Sequence, residues 1–181
     1  MSEQTETPNA PPELKTPQLS PQQRAEIWKQ MFFRAQAGME RYLVSRHGYG
    51  AIDEWVAHNA EVTAKRSDAW KTEGAMPFAR NLSVIMQCWD SAAVELQKCT
   101  AHEAAIEITG CGILEYRKKA RQLGIELTFD DPCREYCTRL LSEIARKQEL
   151  VPAYRLKAGG CQWKVTRAES PGAAPTKGSE S

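Results

Sequence analysis

Several patterns that would indicate a known chemistry are missing from this sequence. It has no GxGxxG or P-loop glycine pattern for nucleotide phosphates and no GxSxG pattern of a serine hydrolase. The chain contains only three histidines, and none of them stands in the HExxH spacing of a zinc protease. The common nucleotide-binding, serine-hydrolase and zinc-protease classes therefore have no support in the sequence.

Long hydrophobic runs and an excess of charge are absent as well. A membrane-spanning helix needs about 20 predominantly apolar residues, and no run approaches that length. The first residues have neither the basic region nor the apolar region of a secretory signal. The net charge is +1 and aromatic residues are 8%, whereas a nucleic-acid-binding surface is usually a dense basic stripe with interleaved aromatics. We therefore expect a cytoplasmic protein without a membrane or nucleic-acid partner.

The two ends of the chain differ in composition from the middle. Residues 1–20 are rich in proline, and residues 168–181 are small and polar. Neither segment can bury enough apolar surface to offset the entropy of ordering, so we expect a disordered head and a disordered tail. The remaining residues, 21–167, are enough for a single domain.

The first half of the domain predicts three amphipathic helices. Ser20 followed by Pro21 is typical of a helix start, because a hydroxyl caps the helix and proline fits its first turn. This first helix should end near His47, a second helix fits residues 51–66, and a third fits residues 77–98. The first helix has a stripe of small and apolar residues at helical spacing: Ile27, Met31, Ala35, Gly38, Met39 and Tyr42.

The second half of the domain mixes strands and helices. Residues 102–109 alternate imperfectly and include two isoleucines, which favours a strand. Two helices follow, at residues 113–123 and 132–147, and a glycine turn joins strands 151–157 and 161–166 into a hairpin. The sequence therefore predicts an α+β fold, with an N-terminal helical layer packed on a small three-stranded antiparallel sheet and two further helices.

Cysteine is the residue type that stands out. The chain has six cysteines, and a reducing cytosol makes structural disulfides rare. The alternatives are buried thiols, metal ligands or a nucleophile. Cys88 and Cys99 lie on or just after the predicted third helix, and we interpret them as core residues, because free cysteine is often buried.

The other four cysteines fall at the ends of predicted elements. Cys111 follows a strand and Cys161 begins one, each beside glycine. Cys133 and Cys137 lie one turn apart at a helix start, where the helix dipole should lower the pKa of the Cys133 thiol. If strand 102–109 lies beside the hairpin, all four cysteines converge at one end of the sheet. Their spacing does not match a zinc ribbon or a ferredoxin, so metal ligation, catalysis and simple packing remain open.

Charged residues near these cysteines allow two interpretations. Asp131 most simply caps a helix, and beside the thiols it would be a candidate general base. The basic cluster Arg117, Lys118, Lys119 and Arg121 is interpreted as the solvated face of a helix.

The second half also resembles a known family over residues 102–166. The resemblance rests on these motifs, in order: Gly110-Cys111, Leu123-Gly124-Ile125, Phe129-Asp130-Asp131-Pro132-Cys133, Arg155 and Gly159-Gly160-Cys161-Gln162-Trp163. Together they resemble the L-2-amino-thiazoline-4-carboxylic acid hydrolase family. A looser likeness is to vinyl-reductase-type small-molecule-binding domains, which also end in a cysteine-bearing hairpin. The first resemblance implies a hydrolase that opens a sulfur-containing aminothiazoline ring.

Three functions follow as hypotheses. The first is a small cytosolic hydrolase-like enzyme that acts on a cyclic sulfur- and nitrogen-containing molecule and hydrolyses C–N bonds of a cyclic amidine. Its site would comprise Cys111, Cys161, one of Cys133 and Cys137, and Asp131 as base. The second is a non-enzymatic accessory or subunit protein that holds zinc or an iron–sulfur cluster on Cys111, Cys133, Cys137 and Cys161. The third is an interaction partner within a larger complex, with homo-oligomerisation also open.

Overall fold

The structure, a computed structural model, describes residues 18–66, 70–91 and 93–168. Its helices are α1 (Pro21–His47), α2 (Gly50–Arg66), the single turn α3 (Trp70–Glu73), α4 (Met76–Cys88), α5 (Gly112–Gln122) and α6 (Thr138–Lys147). A π-helical turn, Cys133–Cys137, leads directly into α6. The strands are β1 (Ala93–Cys99), β2 (Glu103–Thr109), β3 (Leu150–Lys157) and β4 (Gly160–Arg167). The predicted α+β class is confirmed, whereas most of the expected head and tail lies outside the described residues.

All four strands form one antiparallel sheet in the order β1-β2-β4-β3. The prediction of three strands is wrong by one, because the predicted helix 77–98 ends at Cys88. Asp90 takes a left-handed conformation with φ 53°, which stops the helix, and β1 then pairs with β2. The apolar residues of β1 fit a strand as well as a helix, and the hydrogen bonds that β2 offers favour the strand.

The inner face of the sheet forms the main core. Ile106 of β2 lies opposite Trp163 of β4, and both are fully buried. Helices α4 and α6 cover this face, and Phe78 and Leu82 of α4 belong to the same hydrophobic cluster. The outer face is polar and includes ion pairs such as Lys164–Glu103, as in antiparallel sheets with one solvated side.

A second helical layer packs against α6. Helix α2 lies on α6, and α1 lies on α2. A smaller hydrophobic cluster, centred on Ile52, Val56 and Phe129, fills the space between these helices and the loop before the π-helical turn. No helix of the described chain combines the length and apolar character needed to cross a bilayer.

Helix α1 begins as predicted but buries an unexpected face. The Ser20 hydroxyl accepts from the Gln23 N–H, and the Gln23 side chain accepts from the Ser20 N–H, which completes a capping box. The buried residues of the helix are Phe33 and Glu40. Most of the apolar stripe seen in the sequence is exposed instead, as shown by Ile27, Met31, Met39 and Tyr42. This long helix therefore packs through one side and leaves most of its apolar stripe exposed.

Candidate functional site

One cavity brings together four of the six cysteines. Cys111, Cys133, Cys137 and Cys161 all line it, at the N-terminus of α5, the π-helical turn and the start of β4. The other two lie elsewhere: Cys88 at the end of α4 is exposed, which corrects its interpretation as a core residue, and Cys99 ends β1. All six thiols are free. The four cysteines at the ends of predicted elements therefore converge on one cavity, as expected. Their roles stay predictions.

Close backbone packing holds Cys111 beside Cys161. Cys161 lies opposite Ile108 in the ladder, and the Cys111 N–H donates to the Gly159 carbonyl oxygen at 2.8 Å. A Cβ atom on Gly112 would lie 1.6 Å from the Trp89 carbonyl oxygen, and one on Gly160 would lie 2.0 Å from the Ile108 carbonyl oxygen. Glycine at both positions is therefore required for this corner of the fold.

The π-helical turn places Cys133 and Cys137 on the same cavity wall. The Thr138 N–H bonds to the Cys133 carbonyl oxygen, five residues back, which widens the turn relative to an α-helix. Such turns are rare and are frequent at functional sites. The Tyr136 ring between the two cysteines stacks on Trp55 of α2 with centroids 4.7 Å apart, and this contact fixes the turn against the helical layer.

Asp131 caps the start of this helical segment and does not line the cavity. Its carboxylate accepts from the Arg134 N–H at 3.1 Å, and its own N–H donates to Glu135 Oε1 at 3.2 Å. The same carboxylate pairs with the Arg134 guanidinium at 3.0 Å. These contacts account for Asp131 as a capping residue, and its role as a base stays a prediction.

Three of the four cavity thiols are held in the protonated form. Burial is the main cause that raises the pKa of Cys133 to about 11, with Cys111 and Asp131 adding to it. Burial likewise raises the pKa of Cys161 to about 12 and that of Cys137 well above its ordinary value. The expected low pKa of Cys133 is therefore wrong, because loss of solvent outweighs the dipole of a single turn.

Cys111 stands apart from these three by its position. It is the N-cap residue of α5 and is buried, and its side chain makes no capping hydrogen bond. Helix α5 begins directly after it, and the N–H of Gly112, the first helical residue, donates to Ser91 Oγ at 3.3 Å. Its place at the junction between the sheet and α5 distinguishes Cys111 from the other three cavity cysteines.

Arg117 is a cavity residue that the sequence pattern did not predict. The sequence pattern predicts that it belongs to a solvated basic face, but it is 6% exposed and lines the cavity. Its Nη2 donates to both carboxylate oxygens of Glu40, at 2.8 and 2.6 Å, and Glu40 is itself fully buried. Helical spacing in the sequence could have indicated this burial, because Arg117 lies between Ile113 and Ala120 on the apolar side of α5.

Two buried donors in the cavity wall have no hydrogen-bond acceptor. Arg117 Nη1 has no partner among the described residues, and neither does the indole Nε1 of Trp163, a residue that is 1% exposed. The Trp163 indole does lie near Cys161, where it partly offsets the rise in the thiol pKa, but it makes no well-formed bond to the sulfur. Buried donors are almost always satisfied in proteins, so this pair indicates a place for a ligand or water with acceptor atoms.

The cavity itself is narrow and its wall is otherwise apolar. It offers about 20 Å³ to water-sized molecules, and one water needs about 10–15 Å³. A ring-sized ligand must therefore displace partly buried side chains such as Leu114 and Leu156. Within the described residues, no three His, Cys, Asp or Glu side chains are arranged to hold a metal ion, so the four cysteines do not fit a zinc or iron–sulfur site as they stand.

Comparison with protein-family models, curated proteins and solved structures finds no match for this chain.

Proposed function

We propose that this protein is a small hydrolase-like enzyme that acts on a cyclic sulfur- and nitrogen-containing molecule bearing a carboxylate. The observation that carries the proposal is the pair of unsatisfied donors, Arg117 Nη1 and Trp163 Nε1, in a cavity wall that also holds four thiols. The order of motifs around Cys111, Cys133 and Cys161, which resembles an aminothiazoline carboxylate hydrolase family, supports the same chemistry.

Arg117 supplies the carboxylate-binding part of the proposed site. Its Nη2 is already engaged by Glu40, which fixes the guanidinium plane and leaves Nη1 for an anionic ligand. The Phe129 ring lies under the same guanidinium, 5.9 Å from ring centroid to Cζ. A charge-assisted hydrogen bond in such a dry environment contributes about 1.5–3 kcal/mol.

Cys111 supplies the nucleophile in this proposal. Its sulfur adds to the amidine carbon of the ring, and its thiol proton passes to the ring nitrogen, whose bond to that carbon breaks. Water then attacks the same carbon and releases the Cys111 thiol with the opened product. Cys133, Cys137 and Cys161 remain protonated beside it and serve as neutral neighbours that limit access of bulk water.

Turnover of two matched compounds tests the proposal. The full chain is incubated with 2-aminothiazoline-4-carboxylate and with 2-aminothiazoline, and products that have gained one water are followed by mass spectrometry. We expect turnover of the carboxylate, loss of it in Cys111→Ala, and no change in Cys88→Ala, whose thiol lies outside the cavity. Absence of turnover of both compounds would sink the proposal.

The Arg117→Lys variant tests the carboxylate contact separately. Lysine keeps the charge opposite Glu40 but has no second nitrogen to offer the ligand. We expect KM for the carboxylate to rise about 10–100-fold with a smaller change in kcat, and KM for the unsubstituted ring to stay the same. Circular dichroism of the variant controls for folding, and an equal change for both compounds would contradict the assignment.

A further inference from the structure

The outward side of α1 is a continuous apolar stripe. Its members share one side of the helix at heptad spacing: Trp28, Met31, Phe32, Ala35, Met39 and Tyr42. Trp28 is 70% exposed, Tyr42 59% and Met31 54%. Soluble monomers rarely expose so many large apolar side chains together, and such patches mark interaction surfaces.

The packed side of the same helix is already complete. Phe33 contacts Trp89 and Tyr116, and Glu40 pairs with Arg117. Phe32, at the edge of the stripe, also stacks on Trp89 with ring centroids 5.6 Å apart, but it stays 47% exposed. Phe33 and Glu40 lie on the opposite side of α1 from Ala35 and Tyr42, because each residue of an α-helix is rotated by about 100° from the one before. A rotation of α1 about its own axis would bury the stripe only by exposing Glu40 and Phe33. The stripe is therefore an additional surface.

We propose that this stripe is the interface with a second copy of this chain, formed by two antiparallel α1 helices about a two-fold axis at Ala35. In that arrangement Trp28 of one copy lies opposite Tyr42 of the other, and Met31 lies opposite Met39. Phe32 lies opposite Gly38, where an added Cβ would meet nothing within 4 Å. The stripe thus presents large residues opposite large ones at its ends and small residues at its centre, as a self-complementary two-fold contact requires.

The size of the stripe suits such a contact. Residues 28–42 span about 21 Å of helix at 1.5 Å per residue. Aromatic side chains carry about 150–250 Å² each, so the exposed fractions of Trp28, Phe32 and Tyr42 with the two methionines amount to roughly 500–600 Å². A standard interface buries about 800 Å² on each partner, which this stripe approaches before its polar rim is counted.

Charge at the ends of the stripe distinguishes self-association from binding to an anionic lipid surface. Arg24 and Arg46 are exposed on the same side of α1, and the two-fold arrangement places Arg24 of one copy opposite Arg46 of the other. Salt screens that repulsion, so self-association should be unchanged or stronger at high ionic strength. Binding to anionic vesicles would show the opposite salt dependence.

Sedimentation velocity of the full chain over a range of concentrations tests the proposal. We expect a monomer–dimer equilibrium in which Ala35→Glu raises the dissociation constant at least about 100-fold, because it places two carboxylates at the axis. The control is Ala57→Glu, at an exposed alanine of α2, which should leave the equilibrium unchanged. A monomer at every concentration, or an equal response to both substitutions, would overturn the proposal.

Cross-linking tests the register. A two-fold axis at Ala35 brings this residue next to its own copy, so Ala35→Cys should form a disulfide-linked dimer with oxidised glutathione as the oxidant. Ala57→Cys and the unmodified chain, whose exposed Cys88 sets the background, should cross-link much more slowly. Equal rates for the three proteins would overturn the arrangement, and so would a monomer that co-sediments with phosphatidylserine vesicles only at low salt.

Discussion

The Arg117 guanidinium shows how a single residue can connect two layers of this fold. It lies on α5, binds Glu40 of α1 through one nitrogen and leaves the other in the wall of the cysteine cavity. Taking two charges out of water is costly, and a buried pair is tolerated only when its geometry is good and its hydrogen bonds are made. The unfilled bond of Nη1 therefore leaves this buried pair with one donor unmatched among the described residues.

Thiol reactivity is the prediction that belongs to the residue scale. In native protein at neutral pH, we expect iodoacetamide to modify the exposed Cys88 first and Cys133 much later. The pKa of Cys133, raised from 9.0 to about 11, lowers its thiolate fraction roughly 100-fold. Mass-spectrometric mapping of alkylation over time measures this order, and the unfolded protein in guanidinium, where all six should react alike, is the control. Fast modification of Cys133 would contradict the assigned burial.

Short backbone segments, and not long helices, shape the site. The π-helical turn sets the separation of Cys133 and Cys137, and the glycines at 112 and 160 let α5 and β4 approach Trp89 and Ile108 closely. Each of these features lies at the end of an element. Side chains at such positions can converge without disturbing the packing of the sheet.

Alanine substitution of glycines tests this close backbone approach at the scale of the elements. Gly160→Ala should lower the free energy of unfolding by about 1–3 kcal/mol, because the new Cβ would lie 2.0 Å from a backbone oxygen that cannot move freely. Gly50→Ala, at the start of α2 with nothing within 4 Å, should be neutral or slightly stabilising. Urea denaturation of the two variants measures the difference, and equal stability would contradict the close approach.

At the scale of the whole molecule, the cysteine cavity links folding to pH. Its thiols lose their protons near pH 9 in the unfolded chain, whereas burial holds those of Cys133 and Cys161 to about pH 11 and 12 in the folded one. Above pH 9 the folded state therefore binds more protons than the unfolded state. By linkage, this makes the free energy of unfolding fall as pH rises.

Urea denaturation between pH 7 and pH 11 should show this fall. Below about pH 8, these thiols should not change the free energy of unfolding of the unmodified chain. Above about pH 9, that free energy should decrease as pH rises. The double variant Cys133→Ala, Cys161→Ala should show a flatter profile even if it is less stable throughout. Tyr136, whose pKa burial also raises to about 12, is present in both proteins and cancels in the comparison. Parallel profiles would show that these thiols are solvated.

Local sequence signals were sufficient to predict those elements whose structure is decided by residues close together in the chain. The Ser20 cap, the end of α1 at His47, the strand at 103–109 and the closing hairpin all follow from capping residues, alternation and glycine turns. The α+β class follows from the order of these elements. The placement of four cysteines at the ends of predicted elements also predicts their convergence from the sequence alone.

Tertiary contacts decided the rest, because the same pattern of residues allows more than one partner. Strand β1 exists because β2 offers it an edge, and a helical stripe over the same residues was an equally good local solution. Burial, which depends on the whole fold, raised the pKa of Cys133 against the local effect of the helix dipole. The sequence by itself determined that α1 would be a long helix with an apolar stripe, but only packing decided that Phe33 and Glu40 would be buried and the stripe left outside.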